Sequence, residues 1–203
     1  FDHPSGLVAD GSGNLYLADE HNHRIRKINI ATGVVSTIAG SSTAGHLDAV
    51  GEAANFLFPR GLAIDGDGNL YVADSGNHCI RKIDLVNNTV TTLAGTGSAG
   101  FVDGERGIGR LNLPMALVVH SSGNLYVADS GNHAVRKVTP SGVLSILSGT
   151  GVEGFLDGPG QSAQFSSPSG ITTLDDVLYL TDTGNHRIRE ISLNGEVCKI
   201  GNL

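Results

Sequence analysis

The sequence is poor in several residue types that anchor particular fold and function classes. Its 203 residues include no tryptophan, one methionine and two cysteines. It has no run of about 18 apolar residues, so we expect a soluble protein with no membrane span. Cys79 and Cys198 lie far apart and in no spacing that resembles a zinc site, so neither a disulfide nor a structural zinc ion is expected. Free cysteines leave the cellular compartment undecided.

Basic residues are also scarce, with 13 Lys and Arg against 20 Asp and Glu and a formal net charge of −7. Nucleic-acid-binding surfaces usually carry a clustered basic footprint, and no such cluster is present, so a nucleic-acid partner is disfavoured. Glycine is abundant at 29 residues, and windows free of Gly and Pro are rare. This composition favours short strands joined by tight turns.

One stretch, Asn69 to Ile83, recurs four times along the chain. It reads NLYVADSGNHCIRKI, and its aspartate returns at spacings of 55, 55 and 53 residues as Asp19, Asp74, Asp129 and Asp182. Apolar residues alternate on either side of a Ser-Gly-Asn-His segment whose residues favour turns. The stretch therefore predicts two antiparallel strands joined as a β-hairpin.

Each unit adds one strand before the hairpin and one after it. A Pro-x-Gly segment and an apolar run open the unit, and a short apolar strand closes it. A connector then runs 19 residues from Gly40, Gly95 or Gly149 to the next proline. Four-stranded units at this spacing are typical of β-propeller blades. We predict an all-β propeller or propeller segment with blades at about 1–55, 56–110, 111–164 and 165–203.

The pattern NLYVAD(S/T)GNHx(I/V)RK(I/V), preceded by Pro-x-Gly, resembles the NHL repeat and recurs over nearly the whole chain. Connectors of the AGFxDG type, as at 99–104, resemble a subgroup of NHL propellers that can accompany thioredoxin-like domains. The resemblance implies about six blades in a ring, whereas four are present here. Three arrangements stay open: a segment of a larger ring, a closed four-bladed ring, or a ring completed by self-association.

The hairpin turns repeat an Asp-x-x-Asn-His motif that offers side chains for catalysis or metal binding. A functional site is usually unique, whereas this motif occurs in every blade, so we predict a structural turn held by Asp and Asn hydrogen bonds. The predicted structural residues are Asp19, Asn22, His23, Asp74, Asn77, His78, Asp129, Asn132, His133, Asp182, Asn185 and His186. No catalytic residue, cofactor or metal site is predicted. Arg-Lys pairs such as Arg81-Lys82 are expected at solvated or inter-blade ion-pair positions.

The hairpin turns and the connectors are expected to emerge at one face of the disc, which we name the connector face. Loops that vary between blades are good candidates for partner binding. The candidate residues are His21, His46, Phe101, Asp103, Glu105, Arg106, Phe155 and Asp157. Phe101 and Phe155 have an alternative role as buried pins under the connectors. Asp48, Asp103 and Asp157 would form a calcium site only if the connectors converge.

The sequence favours a non-enzymatic interaction scaffold that binds a protein or peptide at the connector face. The resemblance also implies a propeller enzyme, a lyase or lactonase-type hydrolase, as an alternative. Such an enzyme would need a metal-dependent site near the central channel, where His3 and His120 are the titratable candidates. RNA binding ranks lower because the chain is acidic.

Overall fold

The computed structural model describes residues 1–200 and confirms an all-β propeller of four antiparallel blades, each with its four strands in chain order. Blade 1 contains β1 (Pro4–Ala9), β2 (Asn14–Asp19), β3 (Arg24–Asn29) and β4 (Val35–Ala39), and blade 2 contains β5 (Pro59–Ile64), β6 (Asn69–Asp74), β7 (Cys79–Asp84) and β8 (Thr89–Ala94). Blade 3 contains β9 (Pro114–Val119), β10 (Leu125–Asp129), β11 (Ala134–Val138) and β12 (Leu144–Ser148), and blade 4 contains β13 (Pro168–Leu174), β14 (Val177–Asp182), β15 (Arg187–Ser192) and β16 (Val197–Lys199).

The hairpins of all four blades share one type of turn. A single turn of 3-10 helix, Ser75–Asn77 in blade 2, follows the second strand and ends at His78, which adopts a left-handed φ of 51°. The same turn lies at Glu20–Asn22, Ser130–Asn132 and Thr183–Asn185, each followed by a left-handed histidine. Histidine is among the few non-glycine residues that are enriched in this region.

The core lies between consecutive blades. Three buried clusters are present in residues 1–200, one at each blade junction, and each is built from equivalent positions. The fully buried trios are Ile25, Phe56 and Leu70 at the first junction, Ile80, Leu111 and Leu125 at the second, and Val135, Phe165 and Leu178 at the third. Burial of apolar area between blades is thus what holds the array together.

Glycine in the Pro-x-Gly segments lets neighbouring first strands approach closely around the axis. A Cβ on Gly61 would lie 2.6 Å from the Ala116 Cα, and one on Gly6 would overlap the carbonyl oxygen of Arg60. Such separations are too short for real Cβ contacts, so these positions require glycine.

The connectors continue the sheets at the outer edge of the array. Isolated antiparallel bridges join Val50 to Thr89, Gly104 to Leu144 and Gly158 to Val197, so each connector pairs with the fourth strand of the following blade. The connectors also fold back on themselves through the bridges Leu47–Asn55, Val102–Arg110 and Leu156–Gln164. Across residues 1–200 no helix has the length and apolar character needed to cross a bilayer.

Candidate functional site

The aspartate of each hairpin turn organises the top of its blade. In blade 2 the buried Asp74 accepts hydrogen bonds from the Leu57 amide (2.8 Å), the Asn77 side chain (2.8 Å) and Arg81 Nη1 (2.9 Å). The Asn77 amide group also donates to the carbonyl of Gly45 in the connector, at 2.7 Å. The turn therefore ties its own hairpin, the incoming chain and the connector to one carboxylate.

The other blades repeat this arrangement. The turn aspartates Asp19, Asp129 and Asp182 accept from the amides of Asp2, Asn112 and Ser166 and from the side chains of Asn22, Asn132 and Asn185. Burial raises the pKa of Asp74 and of Asp129 to about 6, against the opposing effect of the arginines and amide donors. Burial also acts to raise the pKa of Asp19, but there the hydrogen-bond donors prevail and the pKa is lowered.

Three arginines of the third strands are buried: Arg81, Arg136 and Arg189. Of the two positions expected for the Arg-Lys pairs, the solvated one is therefore wrong for Arg81 and Arg136, whereas both form ion pairs with the connector before their blade. Arg81 binds Asp74 and, through Nη2, Asp48 of the connector at 2.7 Å. Its guanidinium also lies 5.0 Å from the centre of the Phe56 ring. A buried charge needs this many partners because an unpaired one would cost several kcal/mol.

The connector aspartates each serve a different arginine. Asp48 lies 2.7 Å from Arg81, Asp103 lies 2.7 Å from Arg136, and Asp157 lies 2.6 Å from Arg189. Since each carboxylate is engaged at its own junction, the three do not meet at a calcium site. Burial opposes ionisation of Asp48, but the Thr92 amide and Arg81 outweigh it and lower the pKa.

The aromatic candidates lie against the same arginines. The Phe101 ring centre is 4.9 Å from the Arg136 guanidinium, and that of Phe155 is 5.0 Å from Arg189. Phe101 also contacts Gly151 of the next connector, whereas Phe155 is half exposed. These distances are typical of cation–π contacts.

His46 has the place in the first connector that Phe101 has in the second. Its Nε2 shares a hydrogen bond with Thr92 Oγ1 at 2.9 Å, and its ring packs on Gly97 of the next connector. Burial lowers the pKa of His46, and the nearby Arg81 lowers it further. His46 and Phe101 therefore link successive connectors.

A row of exposed aliphatic residues on the connectors was missed by the sequence reasoning. Leu47, Val102 and Leu156 are 52%, 43% and 50% exposed and occupy the same position in the three connectors. We name these three residues the connector row. The alternation of side chains along an extended connector indicates this row. Phe101 and Asp103 both face Arg136, so Val102 between them points away.

The remaining candidates lie elsewhere. His21 stacks on His3 with ring centres 3.9 Å apart, in the turn between β2 and β3. Glu105 and Arg106 are exposed in the second connector, and Arg106 lines an outer groove of about 380 Å³ together with Lys82 and Pro140. In the described chain the eight candidates thus divide among separate neighbourhoods.

The turn histidines contact the next blade, a role that the sequence did not suggest. Nδ1 of His23, His78 and His133 accepts the backbone N–H of Phe58 (3.3 Å), Leu113 (3.0 Å) and Ser167 (3.0 Å), respectively. Burial lowers the pKa of His78 and of His23, which favours the neutral form that can accept.

The two histidines proposed for an enzymatic site lie at opposite ends of the first strands. His3 precedes β1, whereas His120 follows β9, with its Nε2 2.7 Å from Asp176 in blade 4 and its Nδ1 2.9 Å from Ser122 Oγ. They therefore do not belong to one catalytic centre.

Two curated relatives are much longer than this chain. The chain is 35% identical over 147 residues to Protein SUPPRESSOR OF QUENCHING 1, chloroplastic, of Arabidopsis thaliana, an alignment that covers 68% of this chain and 14% of that protein. It is 34% identical over 161 residues to NHL repeat-containing protein 2 of Gallus gallus, covering 72% of this chain and 22% of that protein. The chain thus spans less than a quarter of the length of these two relatives.

Solved structures share the fold. An auxiliary nutrient binding protein from Bacteroides thetaiotaomicron superposes with a TM-score of 0.75 at 20% identity, covering 96% of this chain and 47% of that one. A catalytically inactive virginiamycin B lyase from Staphylococcus aureus, solved with quinupristin, superposes with a TM-score of 0.65 at 14% identity, covering 98% and 55%. The model of the NHL repeat matches residues 1–28, 56–83, 111–138 and 165–191, more than half of the chain. The chain therefore belongs to the NHL-repeat β-propeller family.

Proposed function

We propose that this chain is a non-enzymatic interaction scaffold that binds a protein or peptide segment at the connector face. The observation that carries the proposal is the connector row, because Leu47, Val102 and Leu156 repeat an exposed aliphatic side chain in all three connectors. Recurring apolar side chains rimmed by polar groups are typical of interaction surfaces.

The charge around the row suggests the chemistry of the partner. The first and third connectors contain no Lys or Arg, and although Asp48 and Asp157 are paired with Arg81 and Arg189, Glu52 and Glu153 form no salt bridge within the described chain. The second connector carries Arg106 and Arg110 beside Asp103 and Glu105. A segment that combines apolar and basic side chains would complement this surface in both packing and electrostatic potential.

The connectors are held in place before any partner arrives. Each is fixed by an aspartate–arginine pair, by a bridge to the next fourth strand and by the turn asparagine. A surface fixed in this way loses little conformational entropy on binding, which favours affinity.

The proposal is tested by placing a photo-crosslinking amino acid at Val102 or Leu156 and, as a control, at Ile30. Ile30 is also exposed, and it lies in the turn between β3 and β4, where its N–H donates to the Gly13 carbonyl of the same blade. We expect the two connector positions to capture the same protein, and the control position to capture none of it.

The captured protein is then purified and titrated with the wild-type chain and with the triple variant L47S/V102S/L156S. Loss of three apolar contacts should weaken binding at least about tenfold, since about 1.4 kcal/mol is sufficient for that change. Equal affinity of the two proteins, or equal capture from Ile30, would contradict the proposal.

A further inference from the structure

Blade 1 departs from the other three blades at three neighbouring positions. Asp2, His3 and His21 occupy places that carry no acidic residue and no histidine in any other blade. The corresponding residues are Leu57, Asn112 and Ser166 for Asp2, Phe58, Leu113 and Ser167 for His3, and Gly76, Gly131 and Gly184 for His21. Three metal-ligating residues at one point of one blade distinguish a site from a repeated structural motif.

The structure brings these three side chains together. Asp2 Oδ1 lies 2.7 Å from His3 Nδ1 and 4.0 Å from His21 Nδ1. The two imidazole rings are stacked, with centres 3.9 Å apart and an interplanar angle of 20°. One potential ligand atom from each of the three residues lies within 4.8 Å of the other two.

The backbone around the cluster is well fixed. The Asp2 amide donates to the buried Asp19 carboxylate at 2.7 Å, and the Asp2 carbonyl accepts the His21 N–H at 3.2 Å. The Phe58 ring of blade 2 meets the His21 ring edge-on, with centres 5.5 Å apart. These contacts limit the cost of ordering the side chains around a ligand.

We propose that Asp2, His3 and His21 bind a divalent transition-metal ion, with zinc as the preferred occupant. Two imidazoles and one carboxylate are a ligand set that suits Zn²⁺, and three protein ligands leave a fourth tetrahedral position for water or a small ligand. Zinc–ligand bonds of about 2.0–2.1 Å separate tetrahedral ligands by about 3.3 Å. Because a bound metal lies in the plane of each imidazole ring, one of the two stacked rings must rotate away from the other for both to coordinate the same ion.

The surrounding charges also suit a cation. Two neighbouring arginines are each paired with a carboxylate: Arg60 lies 2.8 Å from Glu20 and Arg26 lies 2.9 Å from Asp19. Glu20 in turn lies 4.0 Å from His21 Nε2. The Glu20 carboxylate therefore offsets the positive charge of Arg60 next to the cluster. The carboxylates of Asp2 and Glu20 also flank the His21 ring.

The repeat itself supplies variants that should fold. His21→Gly, His3→Phe and Asp2→Asn each introduce a residue that another blade carries at the same position. His186→Asn is the matched control, because it removes an exposed histidine of blade 4 and asparagine tolerates the left-handed backbone at that position. Circular dichroism and thermal unfolding would verify that all four variants retain the wild-type fold.

Zinc binding is measured by calorimetry on the metal-free protein, and the ligand geometry by the visible absorption of the Co²⁺ form. We expect one ion per chain, a tetrahedral Co²⁺ spectrum, and at least about tenfold weaker binding in each cluster variant, with His186→Asn unchanged. Binding no tighter than about 1 mM would overturn the proposal. Equal binding in His21→Gly and wild type would also overturn it and indicate only adventitious metal on surface histidines.

Discussion

The arginine of the third strand is the residue on which each blade junction depends. Arg81 is fully buried and joins Asp74 of its own blade to Asp48 of the preceding connector. Its Nη1 and Nη2 also donate to the carbonyls of Asn55 and Leu47. Two carboxylates and two carbonyls thus compensate Nη1 and Nη2, while the buried Nε has no hydrogen-bond partner. Removal of the arginine would leave the Asp74 carboxylate buried with reduced compensation.

We predict that Arg81→Met lowers the free energy of unfolding by about 3–5 kcal/mol, the usual loss when one partner of a buried ion pair is removed. Arg26→Met is the comparison, because Arg26 is one-fifth exposed and pairs with Asp19, so water can compensate part of the loss. Urea denaturation of both variants measures the difference. A loss at Arg26 as large as that at Arg81 would show that burial of the ion pair is not decisive.

The turn histidine predicts a dependence of stability on pH. His78 Nδ1 accepts the Leu113 N–H, which requires the unprotonated ring, and burial lowers the pKa of His78 from its ordinary 6.5. The unfolded chain therefore binds the proton first as the pH falls. The contribution of His78 is full above pH 6.5 and is lost as the pH falls through the lowered pKa.

We expect wild type to exceed His78→Asn in stability by about 1 kcal/mol at pH 8, and this difference to shrink below pH 6.5. Asparagine tolerates the left-handed backbone, so the variant isolates the imidazole. Comparing the two proteins by urea denaturation at each pH cancels the titration of Asp74 and Asp129. A difference that stays constant from pH 5 to pH 8 would contradict the assignment.

At the scale of elements, the connectors are parts of the fold that link one blade to the next. Gly151 has a φ of 81°, and a Cβ there would approach the Phe101 ring to 2.7 Å. Gly107 has nearly the same φ, 83°, but no atom would lie within 4 Å of its Cβ. Substitutions at these two glycines therefore distinguish the cost of backbone strain from the cost of displacing the Phe101 ring.

We predict that Gly107→Ala lowers stability by about 1–2 kcal/mol, from the left-handed backbone alone. Gly151→Ala should cost clearly more, because the ring of Phe101 must also move. Thermal unfolding of the two variants measures the comparison. Equal losses would show that Phe101 does not pack on the next connector.

The strands could be predicted because period-two alternation and the turn residues agree in all four units. Boundaries shift by about one residue: the hairpin stretch identified as Asn69 to Ile83 ends with β7 at Asp84. The burial of Arg81 could not be predicted, because strand alternation does not distinguish a solvated arginine from one in a buried ion pair. Its partner Asp48 is 33 residues away, in a connector whose path no local pattern determines. The connector row, by contrast, could have been found from the alternation of Phe101, Val102 and Asp103, once the connectors were treated as extended segments.

At the scale of the whole molecule, the two end blades expose faces that are buried elsewhere. Ile25, Ile80 and Val135 are buried at junctions, but the equivalent Ile188 of blade 4 is 45% exposed. It borders a cavity of about 460 Å³ lined by Thr183, His186, Arg187, Ile188 and Ile200. In blade 1, Leu7 is 56% exposed, whereas the equivalent Leu62 is 9% exposed. A second copy or a further blade of a larger ring would cover these faces.

We predict that this 203-residue chain self-associates as its concentration rises, because the exposed faces of blades 4 and 1 match the partners found at the internal junctions. Ile188→Asp should suppress the association, whereas Val86→Asp, on an exposed turn, should not. Light scattering on a size-exclusion column measures the mass against 20.9 kDa for the monomer. A monomer at every concentration, or equal effects of the two variants, would contradict the prediction.

Amide hydrogen exchange measures directly whether the connectors are fixed elements that hold the connector row in place. The amides of Gly104 and Gly158 donate to the carbonyls of Leu144 and Val197. We predict that they exchange as slowly as strand amides of the same blades. Exchange as fast as that of the exposed turn at residues 85–88 would mean that the connectors are mobile loops and would contradict the account.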